Sequence, residues 1–426
     1  MGLPRQAADY VIRGITQLVT PVGPAPKYGR EMEGVQVIED AGLAVRGRKL
    51  LYVGPTTGLG DWIGEGTKII DGTGFTVLPG FVDAHTHIAY TGDRSLEFKY
   101  RLRGIPYHLT LEAGEGIYAT KWFVDSADDE TIFRETMARL DIALTRGTTA
   151  MEIKSGYGLS VEGELRLLRI IKRLQRAHPI RIVPTLLALH AIPKEIERRT
   201  YLEQVVQELL PKVVQERLAG FQDAFVDKGV FTAAEAIYAL KAGREMGLMP
   251  RVHAHEFSRE GGVRTAYEVK AISADHLIYA YGDDVERLRD ARIVGVLLPA
   301  SSLVQKPGEH AKARGMVTEG MALALGTDAN PVVKVYNMLF VMGLGCVLND
   351  LYPEEAITAA TLNAAYVLGL ANRKGSLEAG KDADFVMYEA KNYLHVIQEF
   401  AERAPSYVYC EGRLVAERGR LLIRTS

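Results

Sequence analysis

The segment GFVDAHTH, residues 80–87, sets a short apolar run directly before two histidines. A run of this length that begins at a glycine is typical of a buried β-strand. His85 and His87 are two positions apart, so on a strand both side chains point to one face, with Cα atoms about 6.6 Å apart. Two imidazoles at this spacing can converge on one metal ion, although a surface or hydrogen-bonded pair is the simpler alternative.

Seven more short apolar runs follow this segment, and longer amphipathic stretches separate them. This alternation is the pattern of βα units around a parallel sheet. The stretch at 129–147 begins with acidic residues and ends at Gly147, which predicts a helix with a glycine stop. The other helices are predicted near 162–175, 196–218, 232–246 and 310–320. The other strands are predicted at 148–155, 180–187, 220–227, 248–255, 269–277, 292–299 and 322–328.

Eight strands with intervening helices predict a (β/α)8 TIM-like barrel, with a doubly wound sheet as the alternative. Short β-like stretches at 10–20 and 43–54, and again after about residue 370, predict that the chain ends join in one small β domain. We place the barrel at 79–380 and the two parts of the β domain at 1–78 and 381–426.

Charge and composition exclude several classes of function. The 51 Lys and Arg residues nearly balance the 53 Asp and Glu residues, so nucleic acid and anionic membranes attract the chain weakly. Two cysteines without a short spacing indicate neither a disulfide framework nor a thiolate zinc site. The start MGLPRQAADYVIRG lacks the apolar core of a signal peptide, and no run approaches the roughly 20 apolar residues of a membrane span. We expect a cytoplasmic protein.

Histidines and carboxylates stand at the ends of five predicted strands. A lone histidine there is more often a hydrogen-bonded core residue, but the agreement of five strand ends favours a site at the mouth of a barrel. Imidazoles with one carboxylate suit a divalent ion that keeps a position for water and lowers the pKa of that water to about 7. Beyond the first pair, these residues are His190, His253, His255, Glu256, Asp275, His276 and Asp328.

Several motifs together resemble the amidohydrolase superfamily: PGFVDAHTH (79–87), LGTDANP (325–331), TLNAAYVLGL (361–370) and GSLEAGKDADFV (375–386). More narrowly, the chain resembles the imidazolonepropionase family. That likeness rests on HTHIAYTGDR (85–94), RGIPY (103–107), EIKSGYGL (152–159), ALHAIP (188–193), DKGVFT (227–232), HAHEF (253–257) and SADHL (273–277).

The resemblance implies a distorted barrel with a β-sandwich formed by both termini, and a homodimer. It implies one zinc or iron ion, bound by His85, His87, His253 and Asp328. The family hydrolyses the cyclic amide of 4-imidazolone-5-propanoate to N-formimidoyl-L-glutamate, the third step of histidine degradation. The substrate is therefore expected to be a small molecule.

The remaining roles follow from the resemblance and from the chemistry of this substrate. Asp328 is expected to accept a proton, Glu256 to pass one to the departing ring nitrogen, and His276 to stabilise the oxyanion or share the relay. The propanoate tail needs a cation, and Arg94 can supply a bidentate fork. The other expected substrate-binding residues are Tyr107, Tyr157, His190 and Asn330.

Some positions differ from the family pattern. His255 stands where the family often has Asp, and we assign it a packing role or a role behind the ligands. Val332 and Val333 replace Gly and Ser after the aspartate motif, which bears on substrate placement. Neither Lys154 nor Lys228 is expected to be the carboxylated lysine that bridges two metals in binuclear relatives, so we expect one metal.

Two other functions are weighed against this one. A nucleobase deaminase or another cyclic amidohydrolase of the superfamily has no propanoate to bind, so Arg94 and Tyr157 argue against it. A non-catalytic relative that kept only the fold usually loses metal ligands. Here all four candidate ligands are present.

Overall fold

The strands form two hydrogen-bonded sheets in this computed structural model, which describes residues 7–305 and 308–422. Residues 1–6 and 423–426 of the predicted β domain lie outside the described residues. The strands are β1 Tyr10–Pro21, β2 Val35–Arg46, β3 Lys49–Pro55, β4 Lys68–Asp71, β5 Phe75–Pro79, β6 Phe81–Asp83, β7 Thr148–Lys154, β8 Arg181–Leu189, β9 Phe221–Val226, β10 Met249–Ala254, β11 Ser273–His276, β12 Val294–Leu297, β13 Leu323–Leu325, β14 Phe385–Glu389, β15 Tyr407–Cys410, β16 Arg413–Glu417 and β17 Arg420–Leu421.

Strands β6 to β13 are all parallel and pair in chain order. They correspond to the eight predicted strands, whose apolar runs suit strands buried on both faces. The last strand returns to the first, where the Asp328 backbone N–H donates to the His85 carbonyl at 3.0 Å and that of His87 to Ala329 at 2.9 Å. The predicted (β/α)8 barrel is confirmed, and the doubly wound alternative is wrong because the sheet closes.

Helices connect the barrel strands and pack outside them. The predicted helix at 129–147 is confirmed: its N-terminal N–H groups are capped by Asp128, which accepts from the Thr131 N–H at 2.7 Å, and it ends before Gly147, whose φ is +97°. The described helices are α1 Ser95–Leu102, α2 Tyr107–Glu112, α3 Ile117–Ser126, α4 Asp129–Thr145, α5 Val161–Ala177, α6 Arg198–Gln204, α7 Leu210–Gln215, α8 Ala233–Glu245, α9 Gly262–Val269, α10 Asp283–Asp290, α11 Pro299–Gln305, α12 Ala313–Thr318, α13 Met338–Asn349, α14 Pro353–Ala360, α15 Leu362–Val367 and α16 Tyr393–Gln398.

The stretch predicted as one helix at 196–218 contains a π-helical turn, Val205–Leu209, between α6 and α7. Within the described ranges, none of the helices combines the length and apolar character that a membrane crossing requires.

The second sheet takes strands from both chain ends. Its order is β17-β16-β15-β14-β5-β1-β2-β3, and β4 pairs with β1 beyond the end of β5. Side chains from the two ends share one apolar core, which includes Ile12, Leu43, Phe385, Met387 and Tyr409. The prediction that both termini build one β unit is confirmed, whereas its boundaries at 78/79 and 380/381 stay predictions.

The buried carboxylate of Asp382 forms ion pairs with basic residues from both ends of the chain. Its carboxylate is 1% exposed and lies 2.9 Å from Lys49, 3.2 Å from Arg48 and 3.0 Å from Arg373. Burial raises the pKa of Asp382, but hydrogen bonds from Lys49 and Arg48 and the charges of Lys374 and Arg373 lower it overall to about 2. The ionised carboxylate therefore stabilises the folded state above the unfolded pKa of about 4, and this contribution is lost as pH falls through 2.

We expect Asp382→Asn to lower the free energy of unfolding at pH 7 by about 1–2 kcal/mol, because the partly exposed partners are screened by water. The difference in free energy of unfolding between variant and wild type should become smaller between pH 5 and pH 3, because protonation of Asp382 lowers the stability of the wild type. Urea unfolding midpoints at these pH values measure it. The matched control is Asp290→Asn at an exposed ion pair with Arg289, for which we expect a change within about 0.5 kcal/mol. A deficit that is independent of pH would contradict the assignment.

Candidate active site

A small cavity of about 40 Å³ opens at the carboxyl ends of the barrel strands. Ten of the eleven predicted site residues line it, and the eleventh, His85, lies directly behind His87. The remaining lining residues were not predicted: Ile117, Phe225, Phe257 and Gln305. The predicted residues in the lining are His87, Arg94, Tyr107, Tyr157, His190, His253, Glu256, His276, Asp328 and Asn330.

The closure of the barrel brings the first and last strand ends together. Asp83, at the end of β6, accepts hydrogen bonds from the Thr327 N–H at 2.9 Å and from its hydroxyl at 2.6 Å. Gly326 approaches His85 so closely that a Cβ atom there would lie 3.0 Å from the His85 backbone nitrogen. These contacts hold the HTH segment against the aspartate segment, so His85, His87 and Asp328 meet at one place.

Three histidines present their Nε2 atoms to a common point. The Nε2 of His87 lies 3.2 Å from that of His85 and 3.1 Å from that of His253. The other ring nitrogen of two of them faces a carboxylate: His85 Nδ1 is 2.6 Å from Asp275, and His253 Nδ1 is 3.0 Å from Asp223. Carboxylates there favour the proton on Nδ1, which leaves Nε2 as a lone-pair acceptor.

Lone pairs that face each other at these distances repel unless a cation lies between them. Burial, followed by the charges of neighbouring groups, lowers the pKa of His85 and of His87 well below the usual range, so both rings stay neutral, the form that binds metals. Two nitrogens on one tetrahedral zinc ion are about 3.3 Å apart when each bond is about 2.0–2.1 Å. The observed separations therefore fit a divalent metal ion.

Asp328 completes the predicted ligand set. Its Oδ1 lies 3.7 Å from His85 Nε2 and 3.6 Å from His87 Nε2, while its Oδ2 accepts a hydrogen bond from Ser301 at 2.6 Å. The backbone φ of Asp328 is +52°, which turns the side chain toward the histidines after β13 has ended. Three imidazoles and one carboxylate are a donor set that suits zinc or iron.

Glu256 and His276 lie beside this centre and form a second group with Asp328. One donor atom from each of the three lies within 4.8 Å of the others, and Glu256 Oε2 is 3.5 Å from His276 Nε2. Gln305 donates to Glu256 Oε1 at 3.0 Å. Burial first, and then the charges of Asp328 and Asp227, raise the pKa of Glu256 well above its usual range. The carboxyl group is therefore suited to carry a proton.

His255 leaves the cavity that its neighbours His253 and Glu256 enter. Its φ is +56°, so the regular alternation of the strand ends at Ala254. The His255 ring is buried, with Nδ1 3.6 Å from Asp284, and it does not line the cavity.

Arg94 lines the same cavity as the histidine cluster. Its guanidinium is 7% exposed and binds Glu97 at 2.8 Å, and Glu97 also contacts Arg101 at 3.0 Å. This trio carries one net positive charge. The hydroxyls of Tyr107 and Tyr157, which also line the cavity, have no hydrogen-bond partner among the described residues, so they are free for a ligand.

His190 and Asn330 are held by backbone groups. His190 Nδ1 donates to the Gly156 carbonyl at 2.8 Å, and burial lowers the pKa of His190 to about 3, so its Nε2 can only accept. Gly156 has φ of +107°, and a Cβ there would lie 2.8 Å from His190 Nδ1. Asn330 accepts from the N–H groups of Val332 and Val333, both at 2.9 Å, and donates to the Asp328 carbonyl. Asn330 thus shapes the loop as well as lining the cavity.

Charged residues also fill the barrel below the histidines, and among them is Asp275, which was expected at the mouth but does not line the cavity. The sequence did contain one indication of these interior charges. Charged residues interrupt the apolar strand runs, and Arg251 stands two positions before His253, on the same face of the strand. Lys154, weighed as a bridging lysine, lies instead 2.7 Å from Asp223, and Lys228 is exposed. The charged residues inside the barrel are Glu152, Lys154, Asp223, Arg251 and Asp275.

Comparison with known proteins identifies the family of the chain. Residues 76–415 match the amidohydrolase family. Imidazolonepropionase of Streptococcus sanguinis (strain SK36) is 40% identical over 419 residues, which cover 97% of this chain and 100% of that protein. Imidazolonepropionase of Alkaliphilus metalliredigens (strain QYMF) is 39% identical over 421 residues, 97% of this chain and 99% of that protein. The chain belongs to the imidazolonepropionase family of amidohydrolases.

This membership confirms the resemblance inferred from the motifs, and with it a metal-dependent hydrolase. Solved structures of two deaminases share the fold. An adenosine deaminase from Xanthomonas campestris with bound zinc has a TM-score of 0.72 and 18% identity, over 99% of this chain and 95% of that one. Guanine deaminase from E. coli has a TM-score of 0.71 and 17% identity, over 96% of this chain and 100% of that one.

Proposed function

We propose that the chain hydrolyses the cyclic amide of 4-imidazolone-5-propanoate to N-formimidoyl-L-glutamate, a step in histidine degradation. One observation carries the proposal: a single cavity has a buried arginine with two free tyrosine hydroxyls and, beside them, a cluster of histidines and carboxylates. The first group matches a carboxylate tail and the second matches the hydrolysis of an amide.

One divalent ion, zinc or iron, would be held by His85, His87, His253 and Asp328. Such an ion, when bound, polarises a carbonyl and makes water nucleophilic near neutral pH. Metal analysis of the purified enzyme tests this part. We expect one ion per chain, and two ions per active chain would contradict it.

The chain's own residues would orient the substrate. The Arg94 guanidinium, with the hydroxyls of Tyr107 and Tyr157, would bind the propanoate and fix the direction of the ring. The neutral His190 would accept a hydrogen bond from a ring N–H through Nε2, since its Nδ1 is already engaged by Gly156. Oxygen atoms of the substrate are then excluded from that position, because they offer no hydrogen to donate.

Proton transfer would be shared among the three groups beside the ligand cluster. Asp328 would accept a proton from the attacking water, and the carboxylic acid of Glu256 would donate one to the ring nitrogen as the carbon–nitrogen bond breaks. His276, kept neutral because burial lowers its pKa, would donate a hydrogen bond to the developing oxyanion. Gln305 orients Glu256 through its 3.0 Å hydrogen bond.

A substrate panel tests the proposed function directly. Imidazolone propanoate, guanine, cytosine and hydantoins are each incubated with enzyme of measured metal content. We expect turnover of imidazolone propanoate alone. Rapid deamination of a nucleobase, with no turnover of the imidazolone, would overturn the proposal in favour of a deaminase.

We expect Arg94→Gln to raise KM by about 10- to 100-fold, because a charge-assisted hydrogen-bond pair is worth about 1.5–3 kcal/mol. Glu97 keeps Arg101 as its partner in the variant, so the carboxylate is not left alone. Steady-state kinetics with the propanoate and with its uncharged propanamide analogue measure the effect. An equal loss for both substrates would show that Arg94 acts through packing and not on the tail.

The finer expectations on setting and assembly also remain proposals. We propose a cytoplasmic enzyme, which the two cysteines without a disulfide, Cys346 and Cys410, support. We propose a homodimer, as the family resemblance implies. Sedimentation velocity measures the assembly state, and a monomer at micromolar concentration would contradict it.

A further inference from the structure

The interior of the barrel holds charges where such barrels usually hold apolar layers. Four barrel strands carry these charges: β7 and the three neighbouring strands β9, β10 and β11. The residues are Glu152, Lys154, Asp223, Arg251 and Asp275, all 0–2% exposed. Interiors of (β/α)8 barrels are normally filled with branched apolar side chains. Buried charges cost several kcal/mol each unless they are paired, so an apolar filling would be the more stable choice. We call these five residues the interior cluster.

The interior cluster is closely paired. Lys154 Nζ lies 2.7 Å from Asp223 Oδ2 and 2.8 Å from Glu152 Oε2. Arg251 Nη2 lies 2.7 Å from Asp275 Oδ2, and its Nη1 binds the second oxygen of Glu152. Glu152 thus bridges the two cations, and each cation holds one aspartate.

Both aspartates face upward onto proposed metal ligands. The Asp275 oxygen that binds Arg251 is also the one 2.6 Å from His85 Nδ1, and the Asp223 oxygen that binds Lys154 is the one 3.0 Å from His253 Nδ1. The His85 contact has hydrogen-bond geometry, whereas His253 Nδ1 is close to Asp223 without an aligned hydrogen bond, and the Nδ1 of His87 has no such carboxylate beside it among the described residues. Two of the three imidazoles are therefore linked to the interior cluster.

We propose that Lys154 and Arg251 are positioning residues of the metal centre: they hold the carboxylate oxygens of Asp223 and Asp275 against Nδ1 of His253 and His85, so that both Nε2 atoms face the ion. This inference rests on the metal centre of the proposed function. Partners of this kind typically change metal affinity by about 10- to 100-fold when they are removed.

The test measures zinc affinity and not activity. Apo enzyme is prepared with a chelator, and zinc alone is titrated in competition with a fluorescent zinc indicator. For Lys154→Met we expect a loss of zinc affinity of about 10- to 100-fold, with the far-UV spectrum retained. The matched control is Lys374→Met: Lys374 is likewise buried and paired with a carboxylate, but its partner Asp384 directly precedes β14 of the terminal sheet and not a strand of the barrel. We expect its zinc affinity to equal that of the wild type.

Each result decides the question. Wild-type zinc affinity in Lys154→Met, or an equal loss in Lys374→Met, would overturn the inference. If Lys154→Met does not fold, Asp275→Asn replaces it, since this near-isosteric change removes the charge behind His85, and wild-type affinity there would overturn the inference as well. If the wild-type enzyme binds no divalent metal, the metal centre of the proposed function is itself wrong. If the wild type binds zinc tightly and Lys154→Met binds it equally well, only the positioning role is wrong.

Discussion

Replacing Glu256 with glutamine is expected to lower kcat by about 10²–10⁴-fold, while metal content and KM stay close to those of the wild type. Glutamine keeps the size of the side chain and can still bond to Gln305, but it has no acidic proton to give to the departing nitrogen. The leaving group would then depart as a high-energy anion. The loss therefore falls on the chemical step and not on binding.

The position of Glu256 makes this expectation specific. Its Oε2 lies 3.5 Å from His276, within the group that also contains Asp328, and burial raises its pKa so that the acid form persists. The matched control is Glu260→Gln, four residues further along the same loop, at an exposed carboxylate. We expect that variant to stay within about twofold of the wild type. Normal turnover in Glu256→Gln with metal bound would remove Glu256 from the proton relay.

Periodicity was sufficient to predict the barrel and the histidines at its mouth, whereas Tyr107, Tyr157 and Asn330 came from the family resemblance. Strand side chains alternate with a period of two, so the spacing of His85 and His87 already requires a shared face. In a parallel barrel all strand ends lie on one rim, so His190, His253 and His276 could be expected to meet although they are far apart in the chain. Their common cavity follows from that topology.

The side chains beyond the strand ends could not be predicted in this way. His255 and Asp328, which follow the ends of β10 and β13, have positive φ, at +56° and +52°. Such left-handed backbone is uncommon for residues other than glycine, and it breaks the alternation where the strand stops. This is why His255 leaves the cavity while Glu256, the next residue, enters it.

Periodicity also could not predict the ion pairs inside the barrel, because their members are far apart in the chain. Lys154 and Asp223 are 69 positions apart, and Arg251 and Glu152 are 99 apart. Each of these four residues is a charged side chain in an otherwise apolar strand, so the sequence marks the position as unusual. Its partner depends on which strands become neighbours and on their register, and both are set only by the complete fold.

His253→Asn is expected to remove the metal and to lower kcat by at least about 10³-fold, because asparagine cannot replace an imidazole as a zinc ligand. The loss of one ligand would also lower the thermal midpoint. A ligand at 1,000 times its dissociation constant stabilises the folded state by about 4 kcal/mol, and the variant forgoes most of this gain. Metal analysis, kinetics and thermal unfolding with and without added zinc measure the three effects.

His255→Asn is the matched control, since it makes the same change two residues away at an equally buried histidine: His255 is 2% exposed and His253 3%. Asparagine tolerates the positive φ at this position, so the backbone is not strained by the change. Because His255 faces Asp284 and not the cavity, we expect full metal content and a kcat within a few-fold of the wild type. Loss of metal in His255→Asn, with metal retained in His253→Asn, would exchange their roles and overturn the proposed ligand set.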